Sequence, residues 1–238
     1  MGVDSVAAVT HLFGSSRVVV NGKTQILYGI VSKFTTHLLV SLGDKFWDRI
    51  VEVAQSWGNP SFTGWVVELE FIRLCKSGEL TLKFDDSGCT DSMNFDERTG
   101  GTLKDFPLKV PELLQQERVL LWVPTMWNQP AYDLLVLENV GEHGDEGNTC
   151  SSIELTFYQV TTAIKHELLQ WHLQAVIDRI NNLEGFAVSD TKVIFVRPEG
   201  FNQASIDNVS ARGIRANSVT VKHASYESKF KKSSVWFA

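Results

Sequence analysis

Cysteine and long apolar runs are scarce in this chain of 238 residues. The three cysteines, Cys75, Cys89 and Cys150, are odd in number and show no Cys-x-x-Cys pairing. A disulfide framework or a zinc ribbon is therefore not expected. No stretch approaches the run of about 18 apolar residues that marks a membrane helix, so we predict no membrane span. The N-terminus also lacks the charged and apolar regions of a signal peptide.

Positive charge is not in excess either. The formal net charge of −6 excludes a protein that coats DNA through a uniformly basic surface, although a local basic face stays open. Residues 201–238 form a basic segment, with six lysines and arginines against two acids. Hydrophobic residues make up 43% of the chain and charged residues 21%, which is typical of a globular protein with a substantial core.

The spacing of apolar residues predicts the order of helices and strands. Helical spacing occurs over Thr24–Val40, Asp44–Trp57, Phe62–Cys75 and Thr162–Leu183. Short or alternating apolar runs predict strands at Arg17–Val20, Gly78–Phe84, Val119–Pro124, Tyr132–Leu137, Ile153–Thr161 and Lys192–Val196. Asp85–Thr102 and Glu138–Ser152 are expected to be loops. The fold class is therefore α/β, with a mixed sheet flanked by helices and a mostly helical N-terminal extension.

Gly22-Lys23-Thr24 is a candidate phosphate-binding loop. The pattern G-x-x-x-x-G-K-[ST] requires a glycine at position 17, where this sequence has Arg17. We therefore reject nucleotide hydrolysis by this motif and interpret Asn21-Gly22 as a turn.

Asp133 is the most informative single residue. It lies in Tyr132–Leu137, a run that otherwise has the composition of a buried strand. A buried unpaired charge costs several kcal/mol, so a carboxylate there should coordinate a metal or pair with a cation. An edge strand with the carboxylate in water is the equally weighted alternative.

Glu68 and Glu154 each have an ordinary interpretation as solvated acids. Glu68 lies at the edge of the apolar stripe of Phe62–Cys75, and Glu154 alternates with Gln159 to the opposite side of its strand. Together with Asp133, however, they could gather acids at one end of a sheet. Phosphodiester hydrolysis uses such a cluster, because carboxylates hold the Mg²⁺ that activates water.

Two histidines fall in the last predicted helix. His166 and His172 are six residues apart, so they do not share one helical face as a pair of metal ligands would. His166 could reach a site at the end of the preceding strand, or it could be a solvated side chain in the first turn.

Several stretches together resemble the nuclease-like domain of Crinkler effectors and retrotransposon hot spot proteins. They are Trp127–Asp133, Phe157–Thr161, His166 before a long helix, Val193–Val196 and, upstream, Gly64–Glu68. The resemblance covers roughly residues 60–200. It implies a restriction-endonuclease-like fold with a site of the PD-(D/E)xK type.

The resemblance also implies roles for individual residues. Glu68 would be the helix acid and Asp133 the metal-binding aspartate, with Gln159 in the second acid position. These three residues would hold Mg²⁺ or Mn²⁺. Thr161 occupies the lysine position and cannot act as an ammonium, so Lys165 would assist from the next element. Gln159 offers a neutral amide oxygen where a carboxylate is usual.

The resemblance divides the chain and suggests its partners. We expect a helical segment at 1–58, the nuclease-like domain at 59–200 and a basic segment at 201–238. The expected function is that of a Crinkler-type effector acting on host DNA as a metal-dependent endonuclease, with the basic segment on backbone phosphates. The resemblance implies secretion, delivery to the host nucleus and a role in virulence.

Two alternatives stay open. Because Gln159 and Thr161 depart from the motif, the domain could be a catalytically inactive effector that binds host DNA or a host protein. The third possibility is a plain α/β module with an unrelated partner.

Overall fold

The computed structural model describes residues 13–20, 23–30, 44–57, 60–102, 104–125, 131–143, 150–209 and 219–230. The chain divides into two compact units, residues 1–69 with 229–238 and residues 70–228. Among the described helices, none is long and apolar enough to cross a membrane.

The described residues form both helices and strands, as the apolar spacing predicts. The helices are α1 (Asp44–Trp57), α2 (Pro60–Ser77), α3 (Phe106–Gln116) and α4 (Gln170–Asn181). The strands are β1 (Phe13–Val20), β2 (Lys23–Ile30), β3 (Thr81–Phe84), β4 (Thr90–Ser92), β5 (Glu97–Gly101), β6 (Val119–Pro124), β7 (Leu134–His143), β8 (Cys150–Val160), β9 (Lys165–Leu169), β10 (Phe186–Pro198), β11 (Ser205–Val209) and β12 (Val219–Tyr226).

The second unit contains a mixed sheet of eight strands in the order β4-β3-β12-β10-β8-β7-β6-β5. β10 is parallel to β8 and to β12, and β5 is parallel to β6. The other neighbours are antiparallel. β9 and β11 form a separate parallel pair. The predicted class, α/β with a mixed sheet and flanking helices, is confirmed.

Side chains are buried on both faces of this sheet. We call the face that carries Leu155, Phe157 and Phe195 the first face; α3 and α4 contribute to its core through residues such as Val110 and Val176. The second face carries, among others, Tyr158, Ile194 and Ala224, and Phe71 and Cys75 of α2 belong to its core. Because both faces are covered, the central strands read as nearly continuous apolar runs.

A buried carboxylate joins α2 to the end of β12. Glu70 is only 3% exposed, and it accepts a hydrogen bond from Tyr226 Oη at 3.1 Å and another from Ser228 Oγ. Burial, reinforced by the Glu70 carboxylate, raises the pKa of Tyr226 well above its usual range. Paired donors of this kind make a buried charge tolerable.

The first unit has its own packing. β1 and β2 form an antiparallel hairpin. On α1, Trp47 and Ala54 are buried, and the carbonyl of Ala54 accepts a hydrogen bond from Thr63 Oγ1 at 3.3 Å. At the surface, Lys229 Nζ lies 2.7 Å from a carboxylate oxygen of Asp48.

Two predicted helices are wrong where strands form instead. Residues 24–30 of the predicted helix Thr24–Val40 belong to β2, and its remainder lies outside the described residues. The helix predicted from Thr162 begins only at Gln170, because Lys165–Leu169 forms β9 and pairs with β11. The second error arises because local apolar spacing does not show a strand's distant partner. The first error has a different cause, since β2 pairs with β1, which ends only three positions before it begins, and the Asn-Gly pair between the two runs is a local hairpin signal.

Two predicted loops contain strands. Asp85–Thr102 includes β4 and β5, and Glu138–Ser152 includes the end of β7 and the start of β8. The turn predicted at Trp127–Pro130 lies outside the described residues. The N-terminal segment predicted as helical at residues 1–58 contains the β1–β2 hairpin as well as α1.

The edge strand β5 provides a test of this sheet. A Cβ added at Gly100 would lie 2.5 Å from the backbone oxygen of Val123 on β6, closer than real contacts allow. We expect Gly100→Ala to lower the free energy of unfolding by about 1–3 kcal/mol, because one strand must shift. Urea denaturation measures this change, with Thr99→Ala as the control in the same strand. Equal stability of Gly100→Ala and the parent would contradict the β5–β6 pairing.

Candidate functional site

Asp133 and Gln159 lie at the same end of two inner strands of the eight-stranded sheet, β7 and β8. Asp133 directly precedes β7 and Gln159 is the second-last residue of β8, and these two strands are antiparallel. The Asp133 N–H donates to the Tyr158 carbonyl at 2.8 Å, and Asp133 Oδ2 accepts the Val160 N–H at 2.7 Å. The backbone on both sides of Gln159 therefore holds Asp133 in place.

This position corrects the prediction for Asp133. The residue is not inside a buried strand but in the bend that leads into β7, and it is partly buried. At least one carboxylate oxygen accepts a backbone N–H. The strand predicted over Tyr132–Leu137 therefore begins only at Leu134.

Gln159 and Tyr132 carry buried polar atoms that lack hydrogen-bond partners. Gln159 Oε1 and Tyr132 Oη are both enclosed and unpaired. The Tyr132 ring packs against Phe157, two residues before Gln159 on the same strand, at a centroid distance of 5.2 Å. An unsatisfied buried polar atom costs about 1–3 kcal/mol, so such atoms commonly mark the position of a water molecule or a ligand.

Two imidazoles flank Phe195, the neighbour of Gln159 on β10. The register pairs Phe195 with Gln159 and with His223. The Phe195 ring lies 5.6 Å from that of His166 and 5.9 Å from that of His223. Burial lowers the pKa of both histidines, so the neutral form is favoured near neutral pH. Gln159, Phe195 and His223 thus form a row on the first face.

The other predicted site residues are distributed differently. Lys165 is exposed and begins β9, not a helix. Glu154 forms an ion pair with Lys192 at 2.6 Å and stands on the face opposite Gln159, as the alternation predicts. Glu68 belongs to the first unit, whereas Asp133, Gln159 and Lys165 belong to the second. Of these residues, the second unit brings Asp133 and Gln159 together.

A metal ion would find few protein ligands here. Within the described ranges, no group of three or more histidine, cysteine, aspartate or glutamate side chains could hold one. Asp133 supplies one carboxylate, and Gln159 Oε1 is a buried acceptor that makes no hydrogen bond. Mg²⁺ in phosphoryl-transfer sites is commonly held by one or two carboxylates together with substrate phosphates. The two residues fit a site of that kind, completed by the substrate.

Sequence reasoning missed Tyr132, Phe195 and His223 as site residues. Tyr132 is adjacent to Asp133, and its hydroxyl within an apolar run is the signal that could identify it. His223 was assigned to a basic segment, and only the pairing of β12 with β10 brings it beside Phe195.

Comparison of the chain with protein-family models, with curated proteins and with solved structures finds no match.

The two buried tyrosines provide a matched test of the unpaired hydroxyl. Tyr132 and Tyr226 are each 1% exposed, but Tyr226 Oη donates to Glu70 while Tyr132 Oη is unpaired. We expect Tyr226→Phe to lower the free energy of unfolding by about 1–3 kcal/mol, and Tyr132→Phe to leave it unchanged or raise it by about 1 kcal/mol. Urea denaturation of both variants measures the difference. A loss of similar size in the two variants would show that Tyr132 Oη has a partner in solution.

The histidines predict how stability changes with pH. Burial lowers the pKa of His166, and the nearby Glu167 acts in the opposite direction. Burial also lowers the pKa of His223, where Asp85 acts in the opposite direction and Arg197 lowers the pKa further. A lowered folded-state pKa favours folding above the unfolded value of about 6.5, and this stability is lost as pH falls through the folded pKa. Urea denaturation at a series of pH values from 7.5 downward measures the free energy of unfolding. This free energy should fall less with decreasing pH in the His166→Gln, His223→Gln double variant than in the parent. An identical pH dependence would contradict the burial of these imidazoles.

Proposed function

We propose that residues 59–200 form a nuclease-like domain that acts on DNA with Mg²⁺ or Mn²⁺, as in a Crinkler-type effector. One observation carries this proposal: Gln159 Oε1 is buried without a hydrogen-bond partner at the sheet edge where the Asp133 carboxylate is held. An acceptor left unsatisfied beside a carboxylate is suited to a cation. A restriction-endonuclease-like identity is part of the same proposal.

The roles of the residues follow from their chemistry. Asp133 and Gln159 would hold the metal ion. When bound, the ion would activate water and stabilise the leaving oxygen of the phosphodiester. The exposed ammonium of Lys165 would contact the phosphate that is attacked. Asp133 keeps its orientation through the Val160 N–H, which holds Oδ2 at 2.7 Å.

The order of elements supports the proposed fold. After α2, β3, β4, β5 and α3, the chain forms the antiparallel strands β6, β7 and β8. After β9 it forms α4 and then β10, which is parallel to β8. The proposed metal ligands Asp133 and Gln159 lie where β7 begins and β8 ends. The helices and strands that the sequence predicts for the resembling region occur in the predicted order, with the helix after β8 starting later, while β4, β5, α3 and β9 are additional elements.

Host DNA is the proposed partner, and the host nucleus the proposed destination. Both come from the family resemblance, as does delivery by secretion. Because the net charge is −6, contacts with DNA phosphates must be local. A host protein is the alternative partner.

Plasmid cleavage with Mg²⁺ or Mn²⁺ tests the activity. We expect Asp133→Asn to lower the cleavage rate about 100-fold or more, because the substitution removes the carboxylate charge while keeping an oxygen that can accept the Val160 N–H. Asp178→Asn on α4 is the control, since Asp178 is exposed and bonds Gln174 of its own helix. Metal-dependent cleavage that is equal in all three proteins would disprove the assignment of Asp133.

The second candidate is a nuclease-like domain that binds host DNA or protein without cleavage. Thr161 favours it, because a hydroxyl stands where the motif needs an ammonium. The presence of one carboxylate with a neutral amide favours it as well, since the charge that would attract Mg²⁺ is reduced. DNA binding by the folded protein, with no metal-dependent cleavage by parent or variant, would select this function.

A further inference from the structure

A second row of polar side chains lies next to the row of Gln159, Phe195 and His223. The strand register pairs Arg197 with Ser225, and Ser225 with Lys83. Residues paired across neighbouring strands point to the same face, and Arg197 follows Phe195 by two positions, so this row shares the first face. Thr161 adjoins it, because its N–H donates to the Val196 carbonyl at 2.9 Å. On β10 and β12, the second row therefore lies two residues beyond the first row on the same face.

An open cavity of about 590 Å³ extends over the second row. Its polar lining includes Lys83, Asp85, Arg197, Glu199, Gln203 and Ser225. Cavities that bind small molecules or single groups of a larger ligand have volumes of roughly 300–1,000 Å³. The volume therefore suits a ligand portion about the size of a nucleotide.

The two cationic side chains that line the cavity differ in whether they are free to bind a ligand. Arg197 donates two hydrogen bonds to the Asp85 carboxylate, at 2.8 and 3.0 Å, and a third to the Phe201 carbonyl at 3.0 Å. These bonds fix the guanidinium as part of the cavity wall. Lys83 is exposed, and the ion pairs found among the described residues do not include it. Its ammonium is therefore available to an anionic ligand.

We propose that this cavity binds the single nucleic-acid strand that continues from the Asp133–Gln159 edge, with Lys83 contacting a phosphate. This inference rests on the proposed function. The step from β8 across β10 and β12 to β3 is three strand spacings, or about 14 Å, which a few nucleotides span. Glu199 and Gln203 at the cavity wall are suited to hydrogen bonds with base edges. A single strand is preferred because its bases can enter a cavity that a duplex cannot.

Fluorescence anisotropy with a labelled single-stranded oligonucleotide tests the proposal. The full chain is titrated in a chelating buffer, which prevents metal-dependent cleavage. One phosphate contact is worth about ten-fold in affinity at about 50 mM salt, so Lys83→Gln should weaken binding about ten-fold and reduce the slope of log K against log salt by about 0.7. Lys104→Gln is the matched control, because Lys104 is also exposed but follows β5 at the opposite side of the sheet. The affinity of Lys104→Gln for the oligonucleotide should stay within about two-fold of the affinity of the parent.

The outcomes separate this inference from the proposed nuclease activity. A selective loss in Lys83→Gln supports the cavity even if the protein cleaves nothing. Equal affinity of parent, Lys83→Gln and Lys104→Gln overturns the cavity assignment, even if Asp133-dependent cleavage is observed. Absence of binding by the parent overturns it as well, as does a preference for duplex over single strand.

Discussion

The candidate site depends on the pairing of β8 with its two neighbours. β8 is antiparallel to β7 over Leu134–His143 and parallel to β10 over a register that runs from Phe186 to Val196. Both faces of β8 are buried, with Phe157 on the first and Tyr158 on the second. A shift by one residue would exchange these faces, so the core fixes the register. That register places Asp133, Gln159 and Phe195 at the same end of their strands.

The elements that could be predicted are those whose signal is local. Val119–Pro124 was predicted with its observed bounds, because a short run of large apolar residues ends at a proline. The helix at Phe62–Cys75 was predicted two residues short at each end. Lys165–Leu169 could not be predicted as a strand, because its apolar residues fit the following helix and its partner, Ser205–Val209, is separated from it by α4 and β10. Long-range pairing overrides local spacing in such segments.

The residues of the candidate site also divide into those that have a local sequence signal and those that do not. Asp133 could be chosen because a lone carboxylate in an apolar run is chemically unusual, and Gln159 because it follows on the next strand in a resembling motif. His223 and Lys83 could not be chosen, since each becomes a neighbour of the site only through β12, whose place beside β10 is set by tertiary structure. Charge counting assigned His223 to a basic segment, and in the fold that residue packs against Phe195.

The unpaired atoms at this edge bear on function independently of cleavage. Gln159 is half-buried and follows the buried apolar residues Leu155 and Phe157 on the same face. Its Oε1 is buried and unsatisfied, and the hydroxyl of Tyr132, whose ring packs against Phe157 on the same strand, is also unsatisfied. Local rules of burial are violated mainly where a protein binds or reacts, since a ligand can supply the missing partner. The same reasoning connects the edge to the adjoining cavity, where Arg197 is held by Asp85 while Lys83 extends into solvent. Rigid and available charges side by side are what recognition of a polar, anionic chain requires.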